Sequence, residues 1–185
     1  MDIKGRVALT GRPGVGKTTL IERVIERLGI DAGGMVTKEI RTCGHRVGFS
    51  VVDVGTGEEG VLAHIHHQGG PRMGRYCVNV RDLETIGLRA IERSLERGCL
   101  TVIDEVAPME ITSPGFVPLI ERALESGVPL LVSTHAHLQH AIVHRVRREL
   151  TLVRVRMGNR DRLVEEVSAL LIDPETAPEI ASIGL

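Results

Sequence analysis

From residue 5 onward the chain alternates short apolar runs with stretches of helical periodicity. Residues 5–10 (GRVALT) predict a buried strand and 11–16 a glycine-rich turn. Leu20, Ile21, Val24, Ile25 and Leu28 then recur at helical spacing up to Gly29. From Gly33 the period drops to two. Met35, Thr37, Glu39 and Arg41 share one face, Cys43-Gly44-His45 makes a turn, and Val47, Phe49 and Val51 return. This predicts an antiparallel hairpin over 33–54, inserted after the first helix.

The next stretch, 55–75, holds glycines 55, 57, 60, 69, 70 and 74 around a short strand at Val61 to Ile65. Tyr76, Val78 and Val80 predict another strand, and Leu83, Ile86, Ala90, Ile91 and Leu95 a helix stopped by Gly98. One theme then repeats: an apolar strand at 99–103, a helix at 116–126, a strand at 129–133 and a helix at about 138–147. A strand at 151–155 and a last helix carrying Leu163, Val164, Val167, Leu170 and Leu171 complete it. Strand and helix in regular alternation imply an α/β fold with a mostly parallel central sheet flanked by helices.

Composition narrows the picture further. A chain of 185 residues with 42% hydrophobic side chains suits one compact domain, residues 1–172, followed by a Pro-containing tail, 173–185. With 23 basic and 24 acidic side chains it lacks the positive field of sequence-independent nucleic-acid or anionic-membrane binding. Phe49, Tyr76 and Phe116 are the only aromatic residues, too few for base-stacking platforms. Cys43, Cys77 and Cys99 form no CxxC pair, which argues against a disulfide framework or thiolate zinc site and for a reducing, cytoplasmic home. No apolar run reaches the length of a membrane span, and Val7 to Leu9 lead directly into a glycine turn rather than a secretion signal. A soluble protein, with a monomer slightly favoured, is the expectation.

Gly11-Arg12-Pro13-Gly14-Val15-Gly16-Lys17-Thr18 matches GxxxxGK[ST], and it stands between a predicted strand and a predicted helix, as the motif requires. Its glycines let backbone N–H groups turn toward phosphate oxygens, and the helix N-terminus favours the anion. Lys17 is then placed for the β- and γ-phosphates, Thr18 for Mg²⁺ and Thr19 for the α-phosphate end.

The apolar strand Leu100-Thr101-Val102-Ile103 ends in Asp104-Glu105 and resembles a Walker B segment. Asp104 is expected to hold Mg²⁺, and Glu105 to act as general base on a water. At the tip of strand 129–133, Thr134 is a candidate γ-phosphate sensor, with a plain helix N-cap as the competing reading. His135, His137, His140 and His144 cluster, and His140 and His144 would share a helix face at i, i+4. They, like His64, His66 and His67, lack companion ligands, so no zinc site is expected.

Together these segments resemble the small P-loop nucleoside-triphosphatase family of thermophiles and animals, the cancer-related nucleoside-triphosphatase family, over about residues 5–170. Beyond the P-loop, the resemblance rests on Thr37, Glu39 and Arg41, on Gly48-Phe49, on Gly74, Tyr76 and Val78, and on Val102-Ile103-Asp104-Glu105 with Met109-Glu110. It implies a parallel-sheet core with antiparallel additions and Mg²⁺-dependent hydrolysis of ATP, GTP and other nucleoside triphosphates with broad base tolerance. The Asn159-Arg160 pair matches a late family element, which makes Arg160 a candidate nucleotide contact. The chain departs from the family at Val106-Ala107-Pro108-Met109, where Pro108 replaces a lysine, and at Gly158, where the family has Glu. A nucleotide or small-molecule kinase, with the 33–54 hairpin holding an acceptor, and a nucleotide-switched binding module are the alternatives.

Overall fold

The computed structural model describes residues 3–176. The strands are β1 (Arg6–Gly11), β2 (Ala32–Thr42), β3 (His45–Asp53), β4 (Glu59–His64), β5 (Arg72–Met73), β6 (Tyr76–Val78), β7 (Leu100–Val106), β8 (Leu130–His135) and β9 (Thr151–Arg154). The helices are α1 (Lys17–Leu28), α2 (Val80–Asp82), α3 (Arg89–Arg97), α4 (Phe116–Glu125), α5 (Ala141–Glu149) and α6 (Arg160–Ile172), with a π-helical stretch, Leu83–Leu88, joining α2 to α3.

All strands lie in one sheet, in the order β5-β6-β4-β3-β2-β7-β8-β1-β9. From β2 to β9 the pairings are parallel; β3, β4, β6 and β5 extend the sheet antiparallel. The arm expected to begin an inserted hairpin is therefore also a core strand. Met35 pairs with Ile103 of β7 on one side and Asp53 of β3 on the other, while the distal part of β2 pairs with β3 alone.

Strand alternation sends successive side chains to opposite faces. Val7, Leu9, Val36, Val102 and Leu131 pack with α1 and α6 through Leu20, Ile21, Val24, Leu163 and Val167. Met35, Ile103 and Val132 pack on the other face with Ile91, Phe116, Ile120 and Ile142. The helices thus cover both faces and leave the C-terminal ends of the parallel strands open, where doubly wound sheets place their ligands.

Several expected boundaries move for identifiable reasons. Val80 belongs to a helix rather than a strand, because the Asn79 side chain accepts from the Asp82 N–H at 3.2 Å and caps the turn. Helix α5 begins at Ala141, and His140 is its cap, its Nδ1 accepting from Ile142 N–H at 3.2 Å. His140 therefore stands outside the helix and shares no i, i+4 face with His144. Of the expected tail, Pro174–Thr176 form a 3₁₀ turn and 177–185 lie outside the described residues. No helix among the described residues is long and apolar enough to cross a membrane.

Candidate active site

Strand β1 ends at Gly11, and the chain turns through Gly14 (φ 74°) and Gly16 (φ 98°) before α1 starts at Lys17. Those backbone angles are open to glycine and costly for other residues. Helix α1 has no side-chain cap and no acid in its first turn, so its first N–H groups keep an anion-favouring end. Lys17 is buried beneath this loop. Its ammonium donates to the Gly11 carbonyl at 3.3 Å and stands 3.5 Å from Glu105 Oε1.

The two carboxylates of β7 meet this loop from across the sheet. Asp104 is 1% exposed and accepts hydrogen bonds from the Thr18 and Ser133 hydroxyls, one on each oxygen. Burial pushes its carboxyl above the ordinary range, opposed by Ser133, Thr18, Lys17 and a backbone hydrogen bond from Thr37. Burial likewise raises Glu105, with Lys17 pulling it down and Asp104 pushing it up. Against β8 the register steps from Ile103↔Val132 to Val106↔Thr134, so one extra residue of β7 sits at the Asp104-Glu105 end.

Thr18 and Asp104 together offer a hydroxyl and a carboxylate, the hard oxygen donors that suit Mg²⁺. Among the described residues no group of three or more His, Cys, Asp or Glu could hold a metal ion by itself. A cation here depends on oxygens from elsewhere, as an ion shared with phosphate does.

The sensor reading of Thr134 does not fit its placement. Thr134 pairs with Thr10 across the sheet, is fully buried, donates to the Leu9 carbonyl at 3.3 Å and accepts from Arg147 Nε at 3.2 Å. Its neighbour Ser133 faces Asp104 instead. Arg147 also donates to the His135 carbonyl at 2.7 Å and ties the tips of β1 and β8 together. Burial, then Lys17, holds the His135 imidazole below its ordinary range.

Arg160, at the start of α6, lies on the P-loop. A Cβ added at Gly16 would stand 2.7 Å from its Nη1, although 144 residues separate the two in sequence. Its Nε is buried without a hydrogen-bond partner. Arg12 is exposed at the outer edge of the loop. Glu110 is 3% exposed with Oε2 unpartnered, and burial, with smaller contributions from Glu105 and Asp104, raises its carboxyl to about 8.

The NTPase family model matches residues 6–168. The chain belongs to this family. It is 44% identical over 168 residues to the nucleoside-triphosphatase THEP1 of Methanosarcina acetivorans, covering 88% of this chain and 94% of the relative. It is 42% identical to THEP1 of Thermofilum pendens, over 95% of this chain and 94% of that one. Among solved structures, THEP1 from Aquifex aeolicus superposes with a TM-score of 0.78 at 31% identity, over 90% of this chain and 98% of that one. The human cancer-related nucleoside triphosphatase gives 0.73 at 29% identity, over 88% and 95%.

Within this family fold, two cavities share the P-loop as a wall. One, of about 880 Å³, runs from Lys17 and Glu105 past Pro108 and Glu110 to Phe49 and Met73 in the antiparallel lobe. The other, of about 790 Å³, lies on the β9 side between Arg12 to Val15, Ala136-His137 and Arg154 to Met157. Arg147 and Met157 were the signals least visible in the sequence: one is an arginine among many, the other a Met in a polar loop.

Proposed function

We propose that this chain hydrolyses nucleoside 5′-triphosphates to the diphosphate and phosphate, using Mg²⁺ and tolerating different bases. The observation that carries the reading is the convergence of Lys17, Thr18, Asp104 and Glu105 at the N-terminus of α1. Family membership and the nucleoside-triphosphatase relatives support it.

The Gly11–Thr18 backbone and Lys17 bind the β- and γ-phosphates, Lys17 exchanging the Gly11 carbonyl and Glu105 for phosphate oxygens. Thr19 stands toward the α-phosphate. Thr18 and Asp104 hold Mg²⁺, which when bound neutralises charge on the phosphate oxygens. Ser133 fixes the second oxygen of Asp104. Glu105, freed from Lys17 and held above the usual carboxylate range, takes the proton of the attacking water.

The nucleoside runs toward β9, where Arg160 covers Gly16 and Met157 is 90% exposed. A site rejects wrong bases through buried polar groups that would be left unpaired. His137, Arg154, Arg156 and Met157 are all exposed, and this supports base tolerance. Residues 1–172 are taken as one nucleotide-binding domain, and the three free cysteines support a reducing, cytoplasmic setting.

The test follows phosphate release from ATP, GTP, CTP and UTP with Mg²⁺ and with chelator, using Lys17→Ala against contamination. All four substrates should turn over within about tenfold of one another, and chelator and mutation should each abolish release. Label from γ-labelled ATP found on an added hydroxyl compound instead of free phosphate would replace hydrolysis by transfer.

A further inference from the structure

A nucleoside triphosphate carries one nucleoside, yet the P-loop is flanked by two large cavities. With the base on the β9 side, the larger space beyond the terminal phosphate is surplus to the substrate. It continues a cavity of about 880 Å³ whose P-loop end, at Gly14 to Thr19, is the phosphate site itself, and the whole falls in the range of small-molecule sites. Phe49, Leu62 and Met73 make it partly apolar, in the manner of a ligand pocket rather than a solvent cleft.

Two independent observations point to an occupant. At the inner end, Glu110 lines the cavity, is almost fully buried, and keeps Oε2 without any hydrogen-bond partner. A buried polar atom left in that state costs stability unless something satisfies it. At the outer end, Arg46 and Arg41 both grip Glu39, at 2.7 Å and 2.9 Å. Arg75 stands beside them, donating to the Tyr76 hydroxyl at 3.0 Å. Two guanidiniums thus share one carboxylate with a third close by, and each keeps N–H donors to spare. Arg46 also covers the Phe49 ring, 5.0 Å from its centroid, which places a cation at the edge of the apolar wall.

We infer that this cavity is a second-ligand subsite for a small hydroxyl-bearing phosphate monoester. Its phosphate sits on the Arg41 and Arg46 rim, its body against Phe49, Leu62 and Met73, and its hydroxyl on Glu110. The inference rests on the reading of the P-loop as the triphosphate site, because only then is the larger cavity surplus.

The experiment saturates the full chain with Mg²⁺ and the β,γ-imido analogue of ATP, then titrates AMP, GMP, UMP and ribose 5-phosphate by calorimetry, with adenosine as the phosphate-free control. At least one monoester should bind at one equivalent on top of the analogue, with Kd below about 1 mM and tighter than adenosine. Arg46→Ala should weaken it tenfold or more, and Met73→Trp, which fills the apolar part, should abolish it. Analogue binding in the same samples reports that each variant is folded. Absence of monoester binding to the saturated protein, displacement of the analogue, adenosine binding equally well, or binding that survives both variants would overturn the subsite alone. An analogue that fails to bind the parent chain would overturn the P-loop reading and this inference with it.

Discussion

The Lys17 ammonium and Glu105 Oε1 lie 3.5 Å apart, so the buried lysine has the half-buried Glu105 as its ion-pair partner. Triphosphate binding must divide them, since the lysine cannot serve phosphate and Glu105 equally. Lys17→Ala is expected to weaken nucleotide binding by about tenfold or more and to slow turnover by about 10²-fold. Glu105→Gln should keep nucleotide affinity and lower kcat by about 10²-fold. An unchanged kcat in Glu105→Gln would remove that residue from the chemistry.

The pH profile carries the same assignment. A general base must be ionised to work, and Glu105 is raised above the ordinary carboxylate range, chiefly by burial. The rate should therefore be present above that raised value and fall as pH drops through it, and the acidic limb should vanish in Glu105→Gln.

Ser133 and Thr134 separate by role although they are neighbours. Ser133→Ala leaves one oxygen of the buried Asp104 without its hydroxyl partner, and the Mg²⁺ concentration for half-maximal rate should rise several-fold. Thr134→Val removes the bonds to Leu9 and Arg147 and should cost about 1 kcal/mol of stability with kcat little changed. Metal titrations and urea denaturation of both variants separate the two outcomes.

Glu110 gives a stability prediction with a definite sign. Its carboxyl sits near 8 in the fold against 4.5 when unperturbed, so below pH 4.5 both states are protonated and the fold carries no penalty. As pH rises from 4.5 to 8 the unfolded chain ionises first and stability is lost, by an amount on the order of 5 kcal/mol at most. Glu110→Gln should remove that part of the slope, which denaturant melts of both proteins at pH 5 and pH 8 would reveal.

Gly34 and Gly57 both have positive φ but differ in surroundings. A Cβ at Gly34 would lie 2.0 Å from the Val102 carbonyl oxygen, where β2 meets β7, while one at Gly57 would meet nothing within 4 Å. Gly34→Ala is expected to cost about 3 kcal/mol or more and Gly57→Ala about 1 kcal/mol, read from urea midpoints.

The parts legible in the sequence were those set by adjacent residues. The P-loop glycines and Lys17 follow from strand, turn and helix within one short stretch, and Asp104 from the apolar run that precedes it; they lie at the end of β1, the start of α1 and in β7. Thr134 depended on parity at a strand tip, which pairing with β1 decides and which the sequence of β8 alone does not reveal. Glu110 opens a single 3₁₀ turn, Glu110–Thr112, too short to show periodicity, and nothing local announces its burial. Arg160 was reachable only through family resemblance, because its contact with Gly16 joins opposite ends of the chain. The alternation of Tyr76, Val78 and Val80 masks the helix-capping signal of Asn79.

Strand β2 spans eleven residues and serves two masters. Its first residues, Ala32 to Met35, pair with β7, the β3 ladder takes over from Met35 on, and Thr37 reaches Asp104 through the backbone, while its far end turns at Cys43-Gly44 in solvent. Evolutionary freedom along this single strand is therefore graded. A lengthened tip alters only the rim of the lobe, whereas one residue inserted before Thr37 would swap the faces of everything beyond it and carry the change to the Asp104 carboxylate. Diversification of relatives should accumulate at the tip and stop short of Thr37.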